Sequence, residues 1–304
     1  MYSRSSGRMS ISLTPSPDSA APVGLAASPA AAAPAGTARG SAASGTEFFT
    51  CWMDTLDRTN DFGLAVANDS TTAASVTVSS PSRALDSATI PPGDVHVFRF
   101  AQGDRFAPQM LSGTRRGLLS YRIASDVPVT VYQFNTLLVS DITRNHTHDA
   151  STVLPVESLG AQYSVSAWPE VTVQDVEQYG LVAIVGVAAD ATTVTVTPTA
   201  PVLAGDLPAS PAGAPITLTL QRGEVVQLAS GAAGSDFTGS LVRSDRPVAV
   251  FGGTRCSQVP VGTNWCDHLE EQLYPTQAWG SDFIAPKTSP RGAIPDYWRV
   301  LARR

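Results

Sequence analysis

The feature that most limits what this chain can fold into is an internal duplication. Phe62-Gly-Leu64 returns as Tyr179-Gly-Leu181, 117 residues later, and Ala73-Ala-Ser-Val-Thr-Val78 returns as Ala191-Thr-Thr-Val-Thr-Val196, 118 later. Ser125-Asp-Val-Pro-Val-Thr-Val-Tyr132 returns as Ser244-Asp-Arg-Pro-Val-Ala-Val-Phe251, at 119. Leu154-Pro155, Leu159-Gly160 and Tyr163 return as Tyr274-Pro275, Trp279-Gly280 and Phe283, at 120. Blocks in one order at nearly constant spacing mean two copies of a unit of about 120 residues, the size of a β-sandwich domain. The matching positions are turns and large apolar residues, so the match reads as turn chemistry and core rather than as a ligand box.

Within each copy the apolar period is two. Ser75-Val-Thr-Val78, Val95-His-Val-Phe-Arg-Phe100, Val129-Thr-Val-Tyr132, Val194-Thr-Val-Thr197 and Ile216-Thr-Leu-Thr-Leu220 alternate apolar with polar residues and are rich in β-branched side chains, the pattern of half-buried strands. Pro91-Pro-Gly-Asp94, Ser125-Asp-Val-Pro128 and Gln221-Arg-Gly-Glu224 punctuate them as turns. Charged residues are only 15%, while Gly numbers 24 and Pro 23, which disfavours charged helical architectures and suits a turn-rich all-β protein. The best helical candidate is the short Cys266–Leu273 stretch. A net charge of −6 leaves no basic surface to collect phosphates, so nucleic acid is not an expected partner. No run of 18 apolar residues is present to form a transmembrane helix.

The expected layout is a disordered Ala/Ser/Pro-rich leader over 1–46, a first β repeat over 47–165, a second over 166–285, and at 286–304 either the start of a third repeat or a closing strand. The leader lacks the large apolar residues that would offset its ordering entropy. Arg4 and Arg8 are followed by Pro15, Pro17, Pro22, Pro29 and Pro34, which break any apolar stretch, so no export signal is read there. Tyr297-Trp-Arg-Val-Leu-Ala302 resembles the opening strand Tyr179-Gly-Leu-Val-Ala-Ile184.

Candidate chemistry is sparse. Asn145-His-Thr-His-Asp149 could turn His146 and His148 to one side of an extended segment with Asp149 nearby, but a zinc site needs further ligands. The other histidines are His96 and His268, and His148 aligns with His268 at the repeat spacing, so those two are expected to lie apart in separate copies. Cys266-Asp-His268 pairs a thiol with an imidazole, without an orienting third group. Among the carboxylates Glu170, Asp175, Glu177, Glu270 and Glu271, the adjacent Glu270 and Glu271 read as a solvated face. Asn68-Asp-Ser70 and Asn145-His-Thr147 are N-glycosylation acceptor sequences. Of three cysteines, Cys256 and Cys266 lie ten residues apart in a turn-rich segment and can form a disulfide; the other reading is three free thiols. Cys51 then seeks a partner beyond this chain.

Phe251-Gly-Gly-Thr-Arg-Cys-Ser-Gln-Val-Pro260, followed by Cys266-Asp-His-Leu-Glu-Glu-Gln-Leu273, Pro275 and Trp279-Gly280, resembles the N-terminal domain of the IgG Fc-binding protein family. Pro128-Val-Thr-Val-Tyr-Gln-Phe-Asn135, Leu154-Pro155 and Leu159-Gly-Ala-Gln-Tyr163 resemble the same family's preceding segment. The Arg-rich composition, with Lys287 the only lysine, is similar to high-GC bacterial members. The resemblance strengthens the Cys256–Cys266 pairing and implies a secreted or cell-surface module. It supplies no catalytic residue, metal or cofactor. The expected function is therefore non-catalytic binding or adhesion toward an extracellular protein or glycan. A structural stalk in a larger surface protein is the first alternative, and a metal-dependent hydrolase built on His146, His148 and Asp149 the second.

Overall fold

Alternating β-branched residues cannot bury their apolar side chains as isolated strands, and here the chain solves the problem by curling each sheet over on itself. In a computed structural model that describes residues 43–56, 61–137, 148–173, 175–232, 234–285, 287 and 296–302, every long element is an antiparallel strand, and among the described residues there is no α-helix. The first half contributes β1 (Ser44–Cys51), β2 (Asp61–Ala67), β3 (Ala74–Ser80), β4 (Arg83–Ile90), β5 (Val95–Phe100), β6 (Arg115–Gly117), β7 (Ser120–Leu137) and β8 (Asp149–Val153). The second contributes β9 (Gly160–Ser164), β10 (Val171–Val173), β11 (Val176–Gln178), β12 (Gly180–Gly186), β13 (Thr192–Thr197), β14 (Ile216–Leu220), β15 (Val225–Ala229), β16 (Leu241–Ser257) and β17 (Asp267–Gln272).

The two sheets share one topology. The first runs β4-β3-β7-β2-β5 with β1 and β8 also on β7; the second runs β14-β13-β16-β12-β15 with β9 and β17 also on β16. Each is organised by one long strand, β7 of 18 residues and β16 of 17. The first part of β7 pairs with β3 and β1 and the second part with β2 and β8, so a bend near Ser125–Pro128 folds the sheet into two facing layers. Ser244–Pro247 does the same in β16, between its pairing with β13 and its pairing with β12 and β17. The duplicated Ser-Asp-x-Pro blocks are these corners, and Asp126 and Asp245 accept the backbone N–H of Ser75 (2.7 Å) and Thr193 (2.9 Å). The expected strands all lie within elements: β3, β5, β7, β13 and β14.

Each curled sheet encloses its own core. Phe48, Trp52, Phe62, Leu64, Phe98, Tyr121 and Ile123 fill the first, and Tyr163, Val182, Ile184, Leu220, Leu228, Phe237 and Val250 the second. A third apolar cluster joins them, with Phe49, Cys51, Met53, Leu111, Leu154 and Leu159 from the first half against Leu181, Ala183, Val185, Val225, Ala249 and Phe251. Successive residues of β12 point to opposite faces, so Val182 and Ile184 serve the second core while Leu181, Ala183 and Val185 serve the junction. That is why Gly-Leu-Val-Ala-Ile-Val-Gly reads as an unbroken apolar run, buried throughout.

The described residues of 43–279 and 297–302 form one compact unit. Of the other described residues, 280–285, 287 and 296, none lies in a strand. β1 begins at Ser44, inside the tract expected to be disordered, and residues 1–42 of that tract lie outside the described residues. Two expectations are corrected. Cys266–Leu273 is not a helix but contains strand β17, whose inward side chains, His268, Glu270 and Gln272, are polar and so hide the usual alternation. Tyr297–Ala302 forms no strand; Arg299 instead stacks on Trp168, 4.2 Å from the ring centre, and pairs with Asp236 at 2.7 Å.

Candidate functional site

The β16–β17 hairpin ends in a loop closed at its base. Cys256 and Cys266 form a disulfide across a Cα separation of 5.3 Å. The loop is also held by Trp168, whose Nε1 donates to Gln258 O at 2.9 Å, and by Gly262 N–H donating to Gln258 Oε1 at 2.9 Å. The loop leaves apolar side chains in water: Trp265 is 86% exposed, Val261 57% and Val259 39%. The disulfide leaves the loop backbone that carries this indole less conformational freedom to lose on meeting a partner. At the root of the hairpin, the glycines of Phe251-Gly-Gly-Thr254 are required by crowding. A Cβ on Gly252 would strike the Ser166 carbonyl, and one on Gly253 the Leu269 carbonyl.

Beneath the loop, β8 and β17 meet edge to edge without a backbone ladder. Asp149 Oδ2 accepts from Glu270 N (2.9 Å) and Ser151 Oγ from Gln272 N (2.8 Å). In return Asp267 Oδ1 accepts from His148 N (3.0 Å) and Gln272 Oε1 from Leu154 N (2.6 Å). Each strand's side chains thus satisfy the other's edge amides, which protects both edges from further pairing. Behind this seam, Gln133 Nε2 donates to Glu270 Oε1 (2.5 Å) and Asn135 Nδ2 to Glu270 Oε2 (2.8 Å), while His268 Nε2 lies 3.2 Å from the same oxygen. Thr50 Oγ1 donates to Gln133 Oε1. A second buried group spans the junction: Asp54 receives the Tyr179 hydroxyl at 2.5 Å and lies 3.6 Å from Arg255.

The charges at the seam are held out of balance with water. Burial alone would depress the His268 imidazole, but the hydrogen bond and charge of Glu270, with the charge of Asp149, outweigh it and leave it above its ordinary value. Burial raises Asp149 and Asp267. Withdrawal from water also pushes Glu271 up to about 7, with the charges of Asp149 and Glu270 adding to it against a hydrogen bond from Ser151.

Several sequence expectations are revised by this geometry. His148 and His268 do not lie apart: β8 and β17 are neighbours, and Asp267 Oδ1 accepts the backbone N–H of both His148 (3.0 Å) and His268 (2.8 Å). Glu270 is not on a solvated face but 3% exposed within the polar network, whereas Glu271, on the other side of the strand, is an exposed residue whose carboxylate is drawn in against Ser151 Oγ at 3.1 Å. Asn68 is fully buried: its amide donates to Thr72 O and Ile90 O and accepts from Ser70, so it organises a turn and offers nothing to a glycosyltransferase in the folded chain. Asn145 and His146 lie outside the described residues. Cys266 is in the disulfide, which removes the thiol from the Cys266-Asp-His268 reading. Cys51 is completely buried in the junction, its thiol raised by burial and by Glu270, so no external partner reaches it. Glu170 is buried beside Ser230 (3.1 Å), Asp175 takes a positive φ of 62° in the β10–β11 turn, and Glu177 is on β11. Among the described residues no group of three or more His, Cys, Asp or Glu is arranged to hold a metal ion. Sequence reasoning missed the buried polar role of Gln133 and Asn135, which lie in the family-like stretch ending at Asn135 but alternate there as ordinary strand residues, and Trp265, whose signal was an aromatic beside a cysteine in a turn-rich segment.

No solved structure matches the chain. Human IgGFc-binding protein is 32% identical over 168 residues, which is 54% of this chain and 3% of that protein, so the chain corresponds to a small part of that relative. The family model described as IgGFc binding protein matches residues 149–304, from the first residue of β8 through the disulfide loop to the C-terminus. On that match over half its length, the chain belongs to the IgGFc binding protein family.

Proposed function

We propose that the chain is a non-catalytic extracellular binding module whose contact surface centres on the disulfide-closed loop. The observation that carries this reading is Trp265, 86% exposed on a loop cross-linked at its base. Tryptophan is the residue type most enriched among binding hot spots, and pre-ordering its loop lowers the entropy lost on association. A disulfide persists in oxidising compartments, which supports a secreted or cell-surface setting. The partner is an extracellular protein or a glycoprotein, and the relative's name directs the first probes.

The test is surface plasmon resonance of the purified chain against immobilised IgG Fc and purified mucin. Binding to either, weakened about tenfold or more by Trp265→Ala with an unchanged thermal midpoint, is the expected result. Equal binding by Trp265→Ala and the parent chain would sink the loop as the contact surface. Binding to neither probe would shift the weight to a spacer function, which the apolar junction packing the two sheets against each other favours.

A further inference from the structure

The duplication lets one half report what the other lacks. β5 and β15 occupy equivalent places, each the outer neighbour of its sheet: Ala65 pairs with Val97, and Ala183 with Gln227. Both follow the same turn. Asp94 N donates to Pro91 O (3.2 Å) and Gly93 N to Asn68 O (2.8 Å); Glu224 N donates to Gln221 O (3.0 Å) and Gly223 N to Gly186 O (2.8 Å). Gly93 and Gly223 adopt φ of 76° and 78°. Val95, Val97, Asp94 and Thr89 therefore stand where Val225, Gln227, Glu224 and Thr219 stand in the second half, each 130 residues earlier.

In the second half the outer edge is occupied. β6, which departs from the first half, pairs antiparallel along β15 with Val225↔Gly117, Val226↔Arg116 and Gln227↔Arg115. Arg116 locks it in place, its Nε donating to Glu224 Oε1 at 2.7 Å and its Nη2 to Thr219 O at 2.6 Å. In the first half no described strand pairs with the outer edge of β5, Val95 and Val97 are 60% and 38% exposed, and Asp94 stands in solvent. Both acceptors of the locking arginine are thus repeated, as the Asp94 carboxylate and the Thr89 carbonyl. The chain's own β6 is already committed to β15, and the connection between β15 and β16, from which the matching segment would depart, carries no strand among its described residues.

We infer that the outer edge of β5 is an acceptor site for an extended, arginine-bearing segment of another protein chain, added antiparallel as β6 is added to β15. The backbone ladder supplies the affinity, and the Asp94 carboxylate with the Thr89 carbonyl selects arginine at one register position, because a guanidinium can serve two acceptors at once. Where the donor is a further copy of the same unit, such an edge makes a heterologous contact, which links units into a ring or a series according to its rotation.

The test uses the full chain and a fluorescent peptide with the sequence of Ser112–Ser120. Anisotropy should show saturable binding, weakened about tenfold or more by Asp94→Arg in the protein or by Arg116→Glu in the peptide. Amide hydrogen exchange should show new protection over Val95–Val97 in the complex. Val97→Pro, which blocks ladder formation at that position, should abolish binding; Asp94→Arg, at an exposed turn, tests the same site without burdening the fold. No binding at about 1 mM peptide, binding indifferent to Asp94→Arg, or protection appearing on β15 instead of β5 would each overturn the assignment.

Discussion

β5 and β15 are the same strand in two copies, yet one is largely exposed and the other completely buried. The burial of β15 comes from its neighbours. It is sealed along one edge by β6 and covered by the junction cluster, where Val225 and Ala229 meet residues of the first half. β5 keeps its place in the first sheet but has neither cover, and its sequence reflects that: Val-His-Val-Phe-Arg-Phe alternates, while Val-Val-Gln-Leu-Ala does not. Duplication supplied two equal sheets, and the contact between them made their environments unequal.

Substitutions that strike this inequality should differ widely in effect. Phe251→Ala, which empties the junction next to Leu181 and Ala249, should cost about 3–5 kcal/mol, read as a lowered urea midpoint. Glu270→Ala strips Gln133, Asn135 and His268 of their shared acceptor and should cost a comparable 3–5 kcal/mol, because buried polar groups left without partners lose their compensation. Opening the disulfide with Cys256→Ser and Cys266→Ser should cost about 2–3 kcal/mol, the loop entropy expected for a ring of this size. The first half has no cysteine between β7 and β8, so this stabilisation is confined to the second.

The comparison is sharpest at equivalent positions. Val225→Ala, with no exposure, should cost about 2 kcal/mol, and Val95→Ala, 60% exposed, no more than about 0.5 kcal/mol. Equal losses at the two sites would mean that β5 is covered as β15 is.

The smallest effect is a pH dependence at the β8–β17 seam. The groups facing one another there are His148 just before β8, Asp149 from β8, Asp267, His268, Glu270 and Glu271 from β17, and Cys51 from β1. Asp149, Asp267, His268 and Glu271 are all raised in the folded chain, so the folded state holds more protons than the unfolded one. Their contribution is complete below the ordinary values and is lost as pH climbs through the folded ones, Glu271 near 7 among them. The thermal midpoint should fall by about 3 °C between pH 5 and pH 8, and Glu271→Gln should reduce the fall. A midpoint that rises over that interval would contradict the balance of charges described here.

Repetition made the architecture legible. Corner prolines, turn glycines and β-branched runs recur at fixed spacing because each copy must make the same bends and fill the same core, and the two strand orders match but for the β6 added to β15. What could not be read was whatever depends on one copy meeting the other. β17 looked helical or solvated because its inward face is polar, and that polarity makes sense only once Gln133 and Asn135 are seen across the seam. His148 and His268 seemed separate because equivalence in sequence suggested distance in space, whereas equivalent strands meet at the junction. Cys51 looked spare for the same reason, since the cluster that buries it draws on both halves. The Cys256–Cys266 disulfide, a local feature, was readable from spacing and from family resemblance.

The most direct measurement of the inequality between the two halves is native-state amide hydrogen exchange across β5 and β15 in the free chain. If β15 is sealed by β6 and β5 is open, Val225–Gln227 should exchange only on global unfolding, while the outward amides of Val95–Val97 exchange orders of magnitude faster. Equal protection of the two strands would contradict the account.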